Sequence, residues 1–157
     1  MTLQDSSHTP PAPAPMSQAA LLAYFEAQGL RHQTTIHPPV FTVAEGADMK
    51  AAMPGGHSKN LFLKAKNGPL FLVSAKDDTQ IRLNRLHKAL GCDRLSFGAP
   101  ELLVEALGVT PGSVTAFALI NDPGRSVSVV IDANLMRHAT VNCHPLTNTA
   151  TTNIGRE

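Results

Sequence analysis

One candidate binding segment is GGHSKN, residues 55–60. Its two glycines would let the backbone approach a ligand closely, because neither carries a Cβ atom. Lys59 supplies a point charge that suits a phosphate or a developing anion. Asn60 supplies both a hydrogen-bond donor and an acceptor. On spacing alone the segment also fits a solvated loop with an ordinary surface lysine, so both interpretations remain open.

Two further segments hold groups that could contact a ligand. Residues 108–116 (GVTPGSVTA) are small, and their backbone N–H groups could hold an oxygen atom or a ribose hydroxyl. Residues 144–152 (HPLTNTATT) are crowded with hydroxyl and amide groups. The second segment could line a polar pocket, although a frayed C-terminal loop would have the same composition.

Metal and covalent chemistry are disfavoured by the motifs that the sequence lacks. There are seven histidines but no HExxH or CxxC motif, so we expect no metal site. Cys143 and His144 are adjacent, and on a strand they would point to opposite faces rather than form a thiolate–imidazole pair. No GxSxG elbow is present, which disfavours a serine nucleophile. Paired acids on one helix face are also missing, which disfavours glycosidase chemistry.

Composition limits the class of protein. The chain has 157 residues, the size of one domain, and 13 Lys and Arg against 12 Asp and Glu leave a net charge of +1. Proteins that coat nucleic acid by neutralising phosphates are strongly basic, so we expect no DNA partner, while recognition of one nucleic-acid end is allowed. We find no apolar run of about 18 residues and no secretory signal. The two cysteines do not make a disulfide framework, so we expect a cytoplasmic protein without a membrane partner.

The order of local signals predicts one α+β domain. Residues 1–16 are rich in proline and are expected to be a disordered tail, followed by a domain over residues 17–157. Ser17 is a plausible N-cap for the first helix, and Asn67-Gly68 is a strong hairpin signal between two strands. The predicted helices cover 18–28, 43–52, 79–90 and 100–107. The predicted strands cover 33–37, 60–66, 69–75, 114–120, 126–131 and 138–143. Adjacent hairpins interrupted by helices indicate a mixed, mostly antiparallel sheet with flanking helices.

Three segments in this order resemble one family. They are HPPVFTV (37–43), SKNLFL (58–63) and HPLTNTATT (144–152), with GVTPGSVT between the second and third. Together they resemble the YbaK / prolyl-tRNA-synthetase editing-domain family, and they are most similar to its free-standing ProX branch, the alanyl-tRNA(Pro) deacylases. The resemblance covers residues 17–154.

The resemblance implies an activity in trans on mischarged tRNA. Family members hydrolyse the ester between a wrong amino acid and the 3′-terminal adenosine of tRNA(Pro). A pocket built for proline rejects the smaller alanine weakly, because one or two missing methylenes carry little discriminating energy, so a second sieve is needed. The implied partners are the acceptor end of aminoacyl-tRNA(Pro) and prolyl-tRNA synthetase, and no cofactor is implied.

The resemblance also implies the residues of the site. The catalytic set falls on Lys59, as a cation beside the terminal phosphate or the ester, on Gly112 in the glycine loop, and on His144 near the amino-acid moiety. The family's Gly-x-x-x-Pro pattern covers Gly112 to Ala116, where alanine replaces the proline. The implied substrate-binding residues are Asn60, Phe41, Ser113, Val114, Asn148 and Thr149. A water molecule would attack the ester while backbone N–H groups stabilise the oxyanion.

Two alternatives remain. A deacylase of the same family could act on cysteine- or serine-charged tRNA, since only pocket volume and polarity would differ. A non-catalytic module that binds a tRNA end or a synthetase could retain the fold, and Ala116 is its only support. A set of basic residues could help to grip an acceptor end or could simply be solvated: Lys64, Lys66, Arg82, Arg85 and Lys88.

Overall fold

A computed structural model of the chain describes residues 14–39 and 43–157. Its helices are α1 (Gln18–Ala27), α2 (Val43–Ala52), α3 (Leu83–Leu90) and α4 (Pro100–Leu107). Its strands are β1 (His32–Ile36), β2 (Gly56–Ala65), β3 (Leu70–Lys76), β4 (Leu95–Phe97), β5 (Val127–Ile131), β6 (Thr140–Cys143) and β7 (Ala150–Gly155). Short 3-10 helices cover Pro111–Ser113, Ala116–Asn121 and Leu135–Arg137. Within these described ranges, no helix is long and apolar enough to cross a bilayer.

The strands form one mixed sheet in the order β1-β7-β6-β2-β3-β5, and β4 adds to β2. Strand β2 pairs in parallel with β6, and β3 pairs in parallel with β5. The other four pairings are antiparallel. The prediction of an α+β domain with a mixed, mostly antiparallel sheet is therefore confirmed.

Strand β2 is the centre of the fold. The predicted hairpin to β3 is present, and Asn67 takes a left-handed conformation in its turn, with φ of 66°. However, β2 begins at Gly56, so residues 56–59 lie in a strand and not in the predicted loop. Gly55 has φ of 99°, and a Cβ atom there would lie 2.7 Å from the Thr140 carbonyl oxygen. Glycine is thus required where β2 approaches β6, independently of any ligand.

Alternation along β2 separates two apolar layers. Phe62 and Leu72 face one layer, which α4 covers with Leu103 and Leu107. Leu63 faces the other layer with partners from β3, β4 and α3. Because successive strand residues point to opposite faces, every side chain of β2 can be assigned to the Phe62 face or to the Leu63 face.

All four predicted helices are present, with ends fixed by local chemistry. The Ser17 hydroxyl accepts from the amide of Ala20 at 3.1 Å, as expected for the N-cap of α1. Helix α3 starts at Leu83, four residues later than predicted. The reason is that Thr79 is bound elsewhere: its hydroxyl donates to Asp132 at 2.5 Å, and its carbonyl accepts from the Lys59 ammonium.

The predicted strand 114–120 is wrong, because this segment is largely the 3-10 helix Ala116–Asn121. The buried Thr115 hydroxyl accepts from the Phe117 amide at 3.3 Å and begins this turn. The Asn121 side chain donates to the Leu107 carbonyl and accepts from the Met16 amide, both at 2.9 Å. These bonds hold the segment against α4. The edge of β3 therefore pairs with β5 and not with the predicted strand 114–120.

Strands β4 and β7 were not predicted. β7 lies in the threonine-rich run that looked like a loop, and its polar residues are buried between β1 and β6. Thr152 is fully buried, and its hydroxyl lies 2.7 Å from that of Thr34 on β1. The predicted tail covers residues 1–16, of which 1–13 lie outside the described residues, so this boundary stays a prediction.

Candidate functional site

A break in strand pairing runs along one side of β2. On that side β6 pairs only with Gly56 and His57, and β4 pairs only with residues 63–65. Between them, residues 58–61 pair with β3 on the other side alone within the described part of the chain, whereas the Phe62 carbonyl accepts from the amide of Gly98, the residue after β4, at 2.9 Å. We call this break the β2 gap. Because β6 runs parallel to β2, the chain that follows Cys143 leaves the sheet beside the gap.

Asn60 lies in the β2 gap on the Phe62 face. Its Nδ2 donates to the Ser58 hydroxyl at 3.3 Å, and that hydroxyl donates to the Asn142 carbonyl at 2.8 Å. Asn60 Oδ1 is buried and has no hydrogen-bond partner among the described residues. A buried acceptor without a donor costs free energy and requires an explanation.

The glycine loop and the polar C-terminal segment meet on the same face. Val114 and Leu146 both pack against the apolar cluster that contains Phe62. A Cβ atom added to Gly112 would lie 3.4 Å from Asn148 Nδ2, so these two predicted site residues are neighbours. Gly112 follows Pro111 in the first turn of a 3-10 helix, where amide donors have no partner inside the helix. Ser113 is buried, and its own amide donates to the Thr110 carbonyl at 2.9 Å.

His144 and Thr149 lie in the segment that joins β6 to β7. His144 Nδ1 lies 3.1 Å from the Ala150 carbonyl oxygen. A carbonyl oxygen only accepts, so the neutral imidazole carries its proton on Nδ1 and leaves a lone pair on Nε2. The Thr149 carbonyl accepts from the His37 amide at 2.9 Å. Leu146 has φ of 68°, a left-handed conformation that is unusual for leucine and turns the segment between these two residues.

Lys59 is placed differently from the other predicted residues. It follows Ser58 and precedes Asn60, so its side chain leaves β2 on the Leu63 face. Its ammonium donates to the Thr79 carbonyl, and its strand partner is Ala75. The structure thus makes Gly112 and Asn148 neighbours and places Asn60 and Val114 on the same face. It puts the Lys59 ammonium on the opposite face, and Phe41 lies outside the described residues.

The electrostatics of the gap disfavour a thiolate. Cys143 is buried, and burial raises the pKa of its thiol above the ordinary value, although a hydrogen bond with Ser58 opposes the shift. A neutral thiol is a weak nucleophile. In the two described ranges there is also no group of three or more His, Cys, Asp or Glu residues that could hold a metal ion.

The sequence analysis missed the residues that support the gap. Ser58 was named only within the segments GGHSKN and SKNLFL and was given no role, and Asn142 was not named. The Asn142 side chain is buried, donates to the Pro54 carbonyl at 3.0 Å, and accepts from Asn153 at 3.0 Å. The alternation of Ser58, Asn60 and Phe62 was the available signal, but it has meaning only once residues 56–59 are assigned to a strand.

Comparison with solved structures supports the fold. The chain is similar to a crystal structure described as a candidate trans-editing enzyme for prolyl tRNA synthetase, with a TM-score of 0.65 and 18% identity over 88% of this chain and 86% of the other. The class of protein that the fold defines is therefore a single α+β domain with a mixed seven-stranded sheet.

The sequence comparisons identify the family. The family model for the aminoacyl-tRNA editing domain matches residues 37–157. A zebrafish (Danio rerio) prolyl-tRNA synthetase associated domain-containing protein 1 is 42% identical over 75% of this chain, which spans 65% of that protein's length. A prolyl-tRNA editing protein ProX from Acetoanaerobium sticklandii is 33% identical over 86% of this chain and 83% of its own length. The chain belongs to the aminoacyl-tRNA editing domain family.

Proposed function

We propose that this chain deacylates alanyl-tRNA(Pro) in trans. The observation that carries the proposal is that three features meet on the Phe62 face: the buried Asn60 acceptor, which has no partner among the described residues, the glycine loop through Val114, and the segment after β6 through Leu146. The similarity to a prolyl-tRNA editing protein supports the choice of tRNA. The implied partner is the acceptor end of tRNA(Pro), reached in the cytoplasm after prolyl-tRNA synthetase has released the mischarged product.

The proposed reaction needs no side-chain nucleophile. An aminoacyl ester is already activated, so positioning and anion stabilisation can suffice. A water molecule attacks the carbonyl carbon, and the C–O bond to the ribose breaks as its oxygen takes up a proton. The orphan amide of Gly112 is the proposed donor to the oxyanion. His144 borders the acyl group and limits its size, with the Nε2 lone pair available to a donor on the substrate.

Lys59 has a conditional role in this proposal. Its ammonium already lies at the Thr79 carbonyl on the Leu63 face. An ammonium has three donors and the Thr79 carbonyl uses one, so Lys59 can also contact a phosphate of an acceptor end that reaches this face. We therefore assign Lys59 to tRNA binding and not to the reacting carbonyl.

The test is release of amino acid from pre-charged tRNA(Pro). We expect micromolar protein to release alanine rapidly while prolyl-tRNA(Pro) stays intact, because proline exceeds the acyl sieve. Serine- and cysteine-charged tRNA(Pro) measure the acyl specificity in the same assay. If no acyl group is released from any of these substrates, the deacylase proposal is wrong and a non-catalytic binding module remains.

A further inference from the structure

Strand β5 is an edge of the sheet, and one side of its backbone is unused. In the described part of the chain, β5 pairs with β3 alone. The Asp132 amide, just after β5, donates to the Ser74 carbonyl at 2.9 Å, so the even-numbered residues of β5 direct their backbone groups toward β3. The odd-numbered residues, from Val127 to Ile131, therefore direct theirs away from the sheet.

One of these outward groups is already bonded, and it limits the free edge. The Val127 amide donates to the Asp122 carboxylate at 2.9 Å. The amides of Val129 and Ile131 and the carbonyls of Val127 and Val129 have no backbone partner among the described residues. The edge thus offers two donors and two acceptors, and their positions are symmetric about Val129.

The side chains of this edge carry none of the usual protection against strand pairing. Val129 and Ile131 are 45% and 49% exposed, and alternation places them on the same face as buried Val127. Residues 126–131 (SVSVVI) include no proline, glycine or charged residue. Natural edge strands usually carry a lysine, a proline or a bulge, because an unprotected edge accepts another strand. The β5 edge is therefore suited to strand addition.

We infer that the β5 edge pairs with the β5 edge of a second copy of this chain, antiparallel and about a twofold axis at Val129. In that register each Val129 amide donates to the Val129 carbonyl of the other copy, and each Ile131 amide donates to the other copy's Val127 carbonyl. The free groups complement themselves under this symmetry, as an isologous interface requires. The β-branched side chains of Val129 and Ile131 gain cross-strand partners of the same kind. The inference does not depend on the proposed function.

Charge at the two ends of β5 favours an antiparallel second copy over other occupants. Exposed Arg125 precedes the strand and has no carboxylate partner among the described residues, and Asp132 follows the strand. Antiparallel pairing brings Arg125 of one copy near Asp132 of the other, whereas an in-register parallel pairing would place two Arg125 side chains together. The N-terminal segment is a poorer occupant, because three of the four residues at 10–13 are prolines and lack the amide hydrogen that a ladder needs.

The proposed dimer leaves both candidate sites accessible. A twofold axis perpendicular to the joined sheet keeps the two Phe62 faces on the same side. The two β2 gaps are then separated by five strand spacings, about 24 Å. The contact is smaller than the roughly 1,200 Å² of a stable interface, so we expect a Kd on the order of 10 µM.

Sedimentation equilibrium of the full chain tests the inference. We expect wild type to pass from monomer to dimer as its concentration rises through the expected Kd. Val129→Lys and Val129→Glu should each weaken association at least about tenfold, because each places two like charges across the twofold axis. An equimolar mixture of these two variants should restore the dimer, since the proposed register places residue 129 opposite itself and pairs lysine with glutamate.

Two further variants show whether the contact is at the β5 edge. Val104→Lys, at a 48% exposed residue of α4, is the matched control and should keep the wild-type Kd. Val129→Pro removes an outward amide without removing a bond to β3, and it should abolish the dimer. Urea unfolding checks that each variant is folded. A wild type that stays monomeric far above the expected Kd would overturn the inference. A dimer that folded Val129→Lys leaves intact, or a mixture of the two charged variants that stays monomeric, would also overturn it.

Discussion

The two faces of β2 differ in how their polar groups are satisfied. On the Leu63 face, the Lys59 ammonium, the Thr79 hydroxyl and the Asp132 carboxylate all have partners within the chain. On the Phe62 face, the Asn60 amide donates to Ser58 at one end, and its buried Oδ1 at the other end has no partner among the described residues. The hydrogen-bonded groups of the Leu63 face hold the segment that follows β3 in place. The Asn60 acceptor of the Phe62 face is available to a ligand. The same strand thus supports stability on one face and the candidate site on the other.

The largest effect on stability should come from Asp132. Its carboxylate accepts from the amides of Lys76 and Asn134 and from the Thr79 hydroxyl. We expect Asp132→Ala to lower the free energy of unfolding in urea by about 2 kcal/mol, because these donors lose a charged acceptor. Asp93→Ala, at an exposed acid, should leave the unfolding free energy nearly unchanged. An unchanged free energy in Asp132→Ala would contradict the assignment of this face to stability.

A smaller effect, on activity alone, is expected at Gly112. A Cβ atom there meets only the flexible Asn148 amide at 3.4 Å, so Gly112→Ala should fold normally. It places a methyl group beside the proposed oxyanion donor, and we expect kcat/KM for alanyl-tRNA(Pro) to fall about tenfold, within the range of a perturbed oxyanion hole. Urea unfolding provides the control for folding. Wild-type kcat/KM in this variant would remove Gly112 from the site.

The pH dependence of the unfolding free energy should also show that the Leu63 face of β2 contributes to stability. Burial acts to raise the pKa of Asp132, but hydrogen bonds from Thr79, Asn134 and Lys76 outweigh it and hold the pKa below the ordinary value of 3.8. A depressed pKa stabilises the fold above the ordinary value, and this contribution disappears as the pH falls through the folded pKa. We expect the unfolding free energy to drop below about pH 4 and Asp132→Asn to drop less steeply. If the unfolding free energies of wild type and Asp132→Asn fall in parallel with pH, Asp132 does not cause the loss of stability in acid.

The smallest effect should come from Lys59. If its ammonium also contacts a phosphate of the acceptor end, Lys59→Met should reduce the salt dependence of tRNA binding by about one phosphate contact. The readout is the slope of log affinity against log salt concentration, with Lys50→Met as a matched control on α2. A slope equal to that of wild type would restrict Lys59 to its contact with Thr79.

Local signals predicted much of this fold, and pairings between distant segments could not be predicted. The Asn67-Gly68 turn, the Ser17 cap and the Pro100 start of α4 depend on neighbouring residues and were correctly predicted. The parallel pairing of β2 with β6 joins residues more than 80 positions apart, and no local pattern encodes it. Without that pairing, residues 56–59 resemble a glycine loop, and Ser58 has no visible role.

The candidate site also contains features that the sequence predicted and features that depend on contacts between distant segments. Gly112 and Asn148 came from the family resemblance, and the structure places them next to each other. The side on which Lys59 lies could not be derived from its neighbours in sequence, because it depends on the register with Ala75 and on the path of residues 77–82. Asn60 was predicted as a substrate-binding residue, but only the bonds of Ser58 show which end of its amide is available.

Mapping the bound RNA by NMR tests the division of β2 most directly. Titration of a tRNA(Pro) acceptor minihelix with a 3′-amide-linked alanyl group into isotope-labelled protein should shift the signals of Asn60, Gly112 and Asn148, including their side-chain amides where present. The signals of Val73, Ile81 and Leu86, on the Leu63 face, should move little. Shifts confined to Val73, Ile81 and Leu86 would contradict the account and place the ligand on the opposite face of the strand.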